Sequence, residues 1–196
     1  MRPFIALLSS LVLLMSPTLA GAQSSSLIEI DTGRRLGEAP VLLRAIVVRP
    51  AEPTGVALLY FRGNPGYMMI RTLNDKQRNL GWVGKGEPLL MNAGITLVMV
   101  DCPTDQWGDT PRPPATKCLG EYRASAQHAD DVRQLMKKLR EEFKVTDLYL
   151  LGHSIGTISS RWLAINLDKS EIAGSIHSAT MNSRSPALRH LLGNLV

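Results

Sequence analysis

Residues 147–156, Asp-Leu-Tyr-Leu-Leu-Gly-His-Ser-Ile-Gly, constrain this chain more than any other stretch. An apolar run leads into Gly152-His153-Ser154-Ile155-Gly156, and a segment with helical spacing follows. A serine on a tight strand-to-helix turn is held in a strained backbone conformation with its oxygen projecting into open space. Glycines on either side remove the side chains that would collide with the strand and the helix. The N–H of Ile155, at the helix start, then points to where an oxyanion would form, and the helix dipole favours negative charge there. By chance alone the five-residue pattern arises in roughly one chain of this length in fifteen, so the strand before it and the helix after it carry much of the weight. The plainer alternative is a glycine-rich turn whose serine caps the following helix.

The start of the chain is a separate matter. Met1-Arg2-Pro3 is basic, residues 4–15 are nearly all apolar, and Ala20-Gly21-Ala22 is a small-x-small cleavage pattern before Gln23. Residues 1–22 therefore read as a secretory signal peptide whose apolar core is too short to span a membrane. The protein is expected to be exported, to the periplasm or the extracellular space. No later stretch approaches transmembrane length. The hydrophobic content of 44% over 196 residues is enough for one domain with a core.

Export gives the two cysteines a meaning. Cys102 and Cys118 flank a loop with four prolines, and an even count in an oxidising compartment suggests a disulfide. Closing such a loop contributes about 3 kcal/mol on the chain-entropy account; two free thiols are the alternative. Two cysteines at this spacing make no metal site, and no metal or cofactor is expected. The net charge is +5, with positive residues scattered at Arg34-Arg35, Lys137-Lys138, Arg184 and Arg189. No basic stripe interleaved with aromatics appears, which argues against nucleic-acid binding.

Taken in order, 27–31 is a short strand candidate, 32–40 a turn region and 41–49 a strand. The continuous apolar run 56–61 suits a strand buried on both faces. It opens into Arg62-Gly63-Asn64-Pro65-Gly66-Tyr67, where glycines allow the backbone close to a ligand. Pro65 has no N–H, so Asn64 is the candidate oxyanion donor; a sharp strand exit is the alternative. Residues 68–92 look mainly helical with a break at 81–86. Residues 94–100 form another buried strand ending at Asp101. The clearest helix is 123–143, with Val132, Leu135, Met136, Leu139 and Phe143 on one stripe. His128, one turn earlier, reads as a packed or capping histidine. After the elbow strand and its helix to about 167 come a strand at 172–177, a polar loop at 178–185 and a helix at 187–192. Alternation of this kind argues a parallel sheet with helices on both faces and ligands at the C-terminal strand ends.

With Ser154 in its glycine frame after one buried strand and the Asn64 loop after an earlier one, the chain from about Leu27 to Val196 resembles the α/β-hydrolase superfamily. That resemblance implies an α/β fold with a mostly parallel sheet and helices on both faces. It implies Ser154 as nucleophile and the backbone N–H groups of Ile155 and Asn64 as the oxyanion hole. Asp101 would shape the pocket outside the triad. Where this chain has Arg62 the family commonly has His. The family's acid and histidine follow the nucleophile on later loops. Asp168 and Glu171 flank the end of the elbow helix, and neither His177 nor His190 matches the catalytic position. His153 would point into the packing behind the elbow. Tyr67, Trp82 and Trp107 are pocket-wall candidates by position. The expectation is the N-terminal part of an exported serine hydrolase acting on a small-molecule ester, with an amide second. Its last strands, acid and base would lie beyond Val196, so the 196 residues alone would be inactive. A non-catalytic hydrolase-like ligand-binding or decayed protein is the alternative. Substrate identity and oligomeric state are not legible.

Overall fold

A computed structural model describes residues 22–107, 118 and 120–180. Residues 1–21 of the expected signal peptide and the helix expected at 187–192 lie outside the described residues. Six strands form one sheet in the order β1-β2-β4-β3-β5-β6. β1 (Ser24–Leu36) and β2 (Ala39–Arg49) are an antiparallel hairpin, and β2 pairs antiparallel with β4 (Thr96–Val100). β4, β3 (Val56–Phe61), β5 (Asp147–His153) and β6 (Gly174–Ser178) run parallel.

The sequence explains the layering. In β3, Ala57, Leu59 and Phe61 face one side and Leu58 and Tyr60 the other, and all are buried. The first face is covered by α3 (Ala126–Phe143) and α4 (Gly156–Asn166), through Val132, Leu135, Met136, Leu139 and Leu163. The second face is covered by α1 (Asp75–Leu80) and α2 (Val83–Asn92), through Leu80 and Val83. Each fully buried leucine stabilises by about 2 kcal/mol relative to exposure, so the apolar stripe of α3 anchors that layer. Ser125 caps α3 by accepting the N–H of His128 at 3.2 Å, and Lys144 ends the helix in the left-handed region at φ 58°.

Two readings of the chain need correction. β1 runs to Leu36 instead of stopping at Asp31, and the turn is confined to Gly37 and its neighbour. An irregularity in register between Asp31 and Arg35 absorbs the polar stretch, with Gly33 at φ 78°. Arg34 is drawn inward by a two-pronged ion pair with Asp131 of α3, at 2.7 and 2.9 Å. Residues 68–74 are not helical, whereas Gly84 and Gly86 lie inside α2. The carboxylate of Asp101 accepts the N–H groups of Met68 and Ile70 and so ties that segment, in a non-helical course, to the end of β4. The break falls at Gly81 (φ 53°), between α1 and α2.

Among the described residues no helix is long and apolar enough to cross a membrane. β6 is the outermost described strand on its side, and Ile176 on it stands 49% exposed.

Candidate active site

β3 and β5 are neighbours whose crossovers leave in opposite directions, β3 toward β4 and β5 toward β6. A crevice opens outside the carboxyl ends of strands arranged in this way. The Ser154 turn and the Asn64 loop both start there, since Phe61 is in register with Gly152.

Ser154 sits at φ 49°, a left-handed conformation that costs a non-glycine residue on the order of 1 kcal/mol or more. Its surroundings enforce that backbone. The Ser154 N–H donates to Ser178 O at 2.9 Å, and its carbonyl accepts from the Thr157 N–H at 2.9 Å and the Thr157 hydroxyl at 2.6 Å. Gly152 and Gly156 are required sterically. A Cβ on Gly152 would lie 2.6 Å from Gly156 O, and one on Gly156 would lie 2.7 Å from the carbonyl carbon of Phe61. Gly63 matters in the same way, since its Cβ would come 3.0 Å from that of Ser154. The Ser154 hydroxyl has no hydrogen-bond partner among the described residues, and the α4 N-terminus shows no side-chain cap. The capping alternative is therefore not what the hydroxyl does.

A cavity of about 320 Å³ opens at this point, and its wall includes Ser154, Asn64, Gly63 and Arg62. Tyr60, Gly81, Trp82 and His153 complete the lining. Ile155 adjoins Ser154 at the start of α4 and is not part of the wall. Neither the Ile155 nor the Asn64 N–H donates to an acceptor among the described residues. The Asn64 loop is closed by the Gly66 N–H donating to Gly63 O at 2.7 Å.

His153 does not point behind the elbow. Its ring lines the cavity 5.3 Å from that of Trp82, and its Nδ1 lies 3.4 Å from Ser178 Oγ. Gly63 makes the room, because a Cβ there would stand 3.2 Å from the imidazole. Trp82 is a wall residue as expected, but Tyr67 and Trp107 are not. They pack around Cys102, Cys118 and Tyr122 instead, and the Trp107 indole N–H donates to Cys102 O at 2.9 Å. His177 bonds Ser160 Oγ at 2.8 Å through Nδ1, away from the cavity wall. Burial, then the charge of Arg161, lowers its pKa. His128 is enclosed with the rings of Phe61 and Tyr122 against it. Among the described residues neither of its ring nitrogens has a partner, and burial with nearby Arg123 lowers its pKa to about 3. Glu171 is engaged with Arg133 at 3.1 Å.

Asp101 supports the site from below. Its carboxylate accepts the N–H groups of Met68, Ile70 and Cys102 at 2.6, 2.7 and 2.7 Å. Burial pushes its pKa up to about 6, against those donors and the charge of Arg123. Arg123, which no spacing in the sequence marks, is fully buried beside it. Its guanidinium donates to Cys118 O at 2.8 Å, to Ser159 Oγ at 2.6 Å and to Gly66 O. Burial lowers its pKa to about 10. Cys102 and Cys118 are joined in a disulfide, so one cation ties the crosslink, α4 and the Asn64 loop together. Among the described residues no cluster of His, Cys, Asp or Glu could hold a metal.

No family model matches the sequence, and no curated protein matches it. Solved structures do. A PEG-bound cold-adapted esterase from an Arctic intertidal metagenomic library aligns with a TM-score of 0.58 at 14% identity. That alignment covers 83% of this chain and 62% of that one. A highly thermostable carboxyl esterase from Bacillus coagulans, in complex with glycerol, gives 0.54 at 16% identity, covering 88% and 49%. DcsB in complex with its substrate analogue gives 0.54 at 14% identity, covering 88% and 51%. The chain thus spans between about half and 62% of the length of these proteins. With this strand order, a left-handed serine between β5 and α4, and these structural matches, the chain has the α/β-hydrolase fold.

Proposed function

We propose that this chain carries the nucleophile and oxyanion half of an exported serine hydrolase that cleaves a small-molecule ester, with an amide as the second choice. One observation carries the reading: a hydroxyl with no partner among the described residues, on a strained, glycine-framed turn, shares a cavity with the Asn64 loop. Ser154 Oγ attacks the carbonyl carbon and loses its proton to a base. The tetrahedral oxyanion accepts the N–H groups of Ile155 and Asn64. Collapse expels the alcohol with that proton and leaves an acyl-enzyme, which water hydrolyses to the acid and free serine. The described histidines do not hydrogen-bond Ser154 Oγ, so the base and its acid partner belong to residues outside the described set. The joined cysteines support export to an oxidising compartment.

The absence of a base beside Ser154 among the described residues favours a second reading, a ligand-binding protein built on this fold. Hydrolysis of an activated acetate ester separates the two. The enzyme reading expects alcohol release that falls by on the order of a thousandfold or more in Ser154→Ala. A full-length protein with no release above buffer, yet folded, would favour the binding reading.

A further inference from the structure

Among the described residues the cavity beside Ser154 has one permanently charged group in its wall, the guanidinium of Arg62. No carboxylate lies within ion-pair distance of it among the described residues; Asp75, on the same helix as Asn79, and Asp101 are engaged elsewhere. Arg62 Nη1 donates to the side-chain oxygen of Asn79. Asn79 is 1% exposed, and its Nδ2 donates to Met68 O at 3.0 Å and to Asp75 O at 2.9 Å. With its amide nitrogen committed to two carbonyls, the amide must turn its oxygen to Arg62. A buried neutral acceptor therefore fixes the direction of the guanidinium without cancelling its charge. Nε and Nη2 have no acceptor among the described residues, and Arg62 is only partly buried.

We propose that Arg62 is an anion anchor, so that the molecule bound in this cavity carries a carboxylate beside the bond presented to Ser154. This proposal rests on the hydrolase reading for the bond, but not for the anion. A planar fork with free N–H groups matches a carboxylate in two parallel hydrogen bonds, and a partly desolvated wall strengthens them. A substrate of this class is the monoester of a dicarboxylic acid.

The test compares monomethyl succinate with dimethyl succinate, titrated calorimetrically into the full chain carrying Ser154→Ala to prevent turnover. Charge-assisted hydrogen bonds predict a preference for the monoester on the order of tenfold, shrinking as salt is raised. Arg62→Gln is expected to abolish that preference while diester binding persists. Arg62→Lys, which keeps the charge without the fork, is expected to retain part of it, and it carries the test if Arg62→Gln does not fold. Equal affinity of the parent for both probes overturns the proposal. So does an equal loss of both in Arg62→Gln, which would assign Arg62 to loop structure or to the oxyanion. Fluorophosphonate labelling at Ser154 in the otherwise unmodified chain is read separately. An anion preference without labelling keeps the anchor and removes the hydrolase, and labelling without the preference does the reverse.

Discussion

Ser154 owes its geometry to side chains that are missing. Gly156 faces the carbonyl of Phe61 and Gly152 faces the next turn of α4, so a methyl at either site must displace backbone. Gly156→Ala is expected to lower unfolding free energy by about 1–3 kcal/mol, the usual effect of overpacking. Gly86→Ala, in α2 with nothing within 4 Å of an added methyl, is expected to gain about 0.5–1 kcal/mol. Urea titrations of the two variants give opposite signs if this is right. His128 provides a pH test. Its native pKa of about 3 lies below the ordinary value of 6.5, so between those limits the unfolded chain holds the extra proton. Stability from this group is complete above about pH 6.5 and is lost as pH falls toward 3. His128→Phe is expected to show a shallower acid decline than the parent in melts across that range. Asp101 has the opposite sign, because its raised pKa of about 6 costs stability as pH rises through 4 to 6, and it is shared by both proteins. The flanking glycines were legible at this scale because their spacing is dictated by one turn. Arg123 and Asn79 were not, because a lone buried polar residue leaves no periodic trace.

Among the elements, those with a buried stripe on both sides or a long helical period could be read directly: β3, β4, β5 and α3. The 68–74 segment could not, since the carboxylate that ties it down belongs to the end of β4. The last residues of β1 were missed for a similar reason, since Arg34 among them is held by Asp131 of α3, far away in the sequence. Two element-scale measurements follow from these ties. Ser125→Ala removes the cap of α3 and should cost about 1 kcal/mol in the same urea assay. Replacing Cys102 and Cys118 by serine should cost about 3 kcal/mol by the loop-closure argument. It should also raise amide exchange at residues 66–70, because Arg123 grips Cys118 O and Gly66 O at once. Unchanged exchange there would mean that the crosslink and the Asn64 loop are mechanically independent.

For the whole molecule, the alternation of strands and helices was enough to place Ser154, the Asn64 loop and Asp101 at one end of one sheet, and the structure has them there. What the sequence concealed was the composition of the wall. Arg62 and His153 face the cavity because Gly63 and Asn79 make the room and the hydrogen bond, and both are contacts between distant segments. The central claim is that the hydroxyl on the left-handed turn is a nucleophile. Its most direct test is treatment of the full-length protein with a fluorophosphonate, followed by peptide mapping of the adduct. The account predicts a single adduct on Ser154 that Ser154→Ala eliminates. An adduct that survives Ser154→Ala, or one that maps to a different serine, would contradict it.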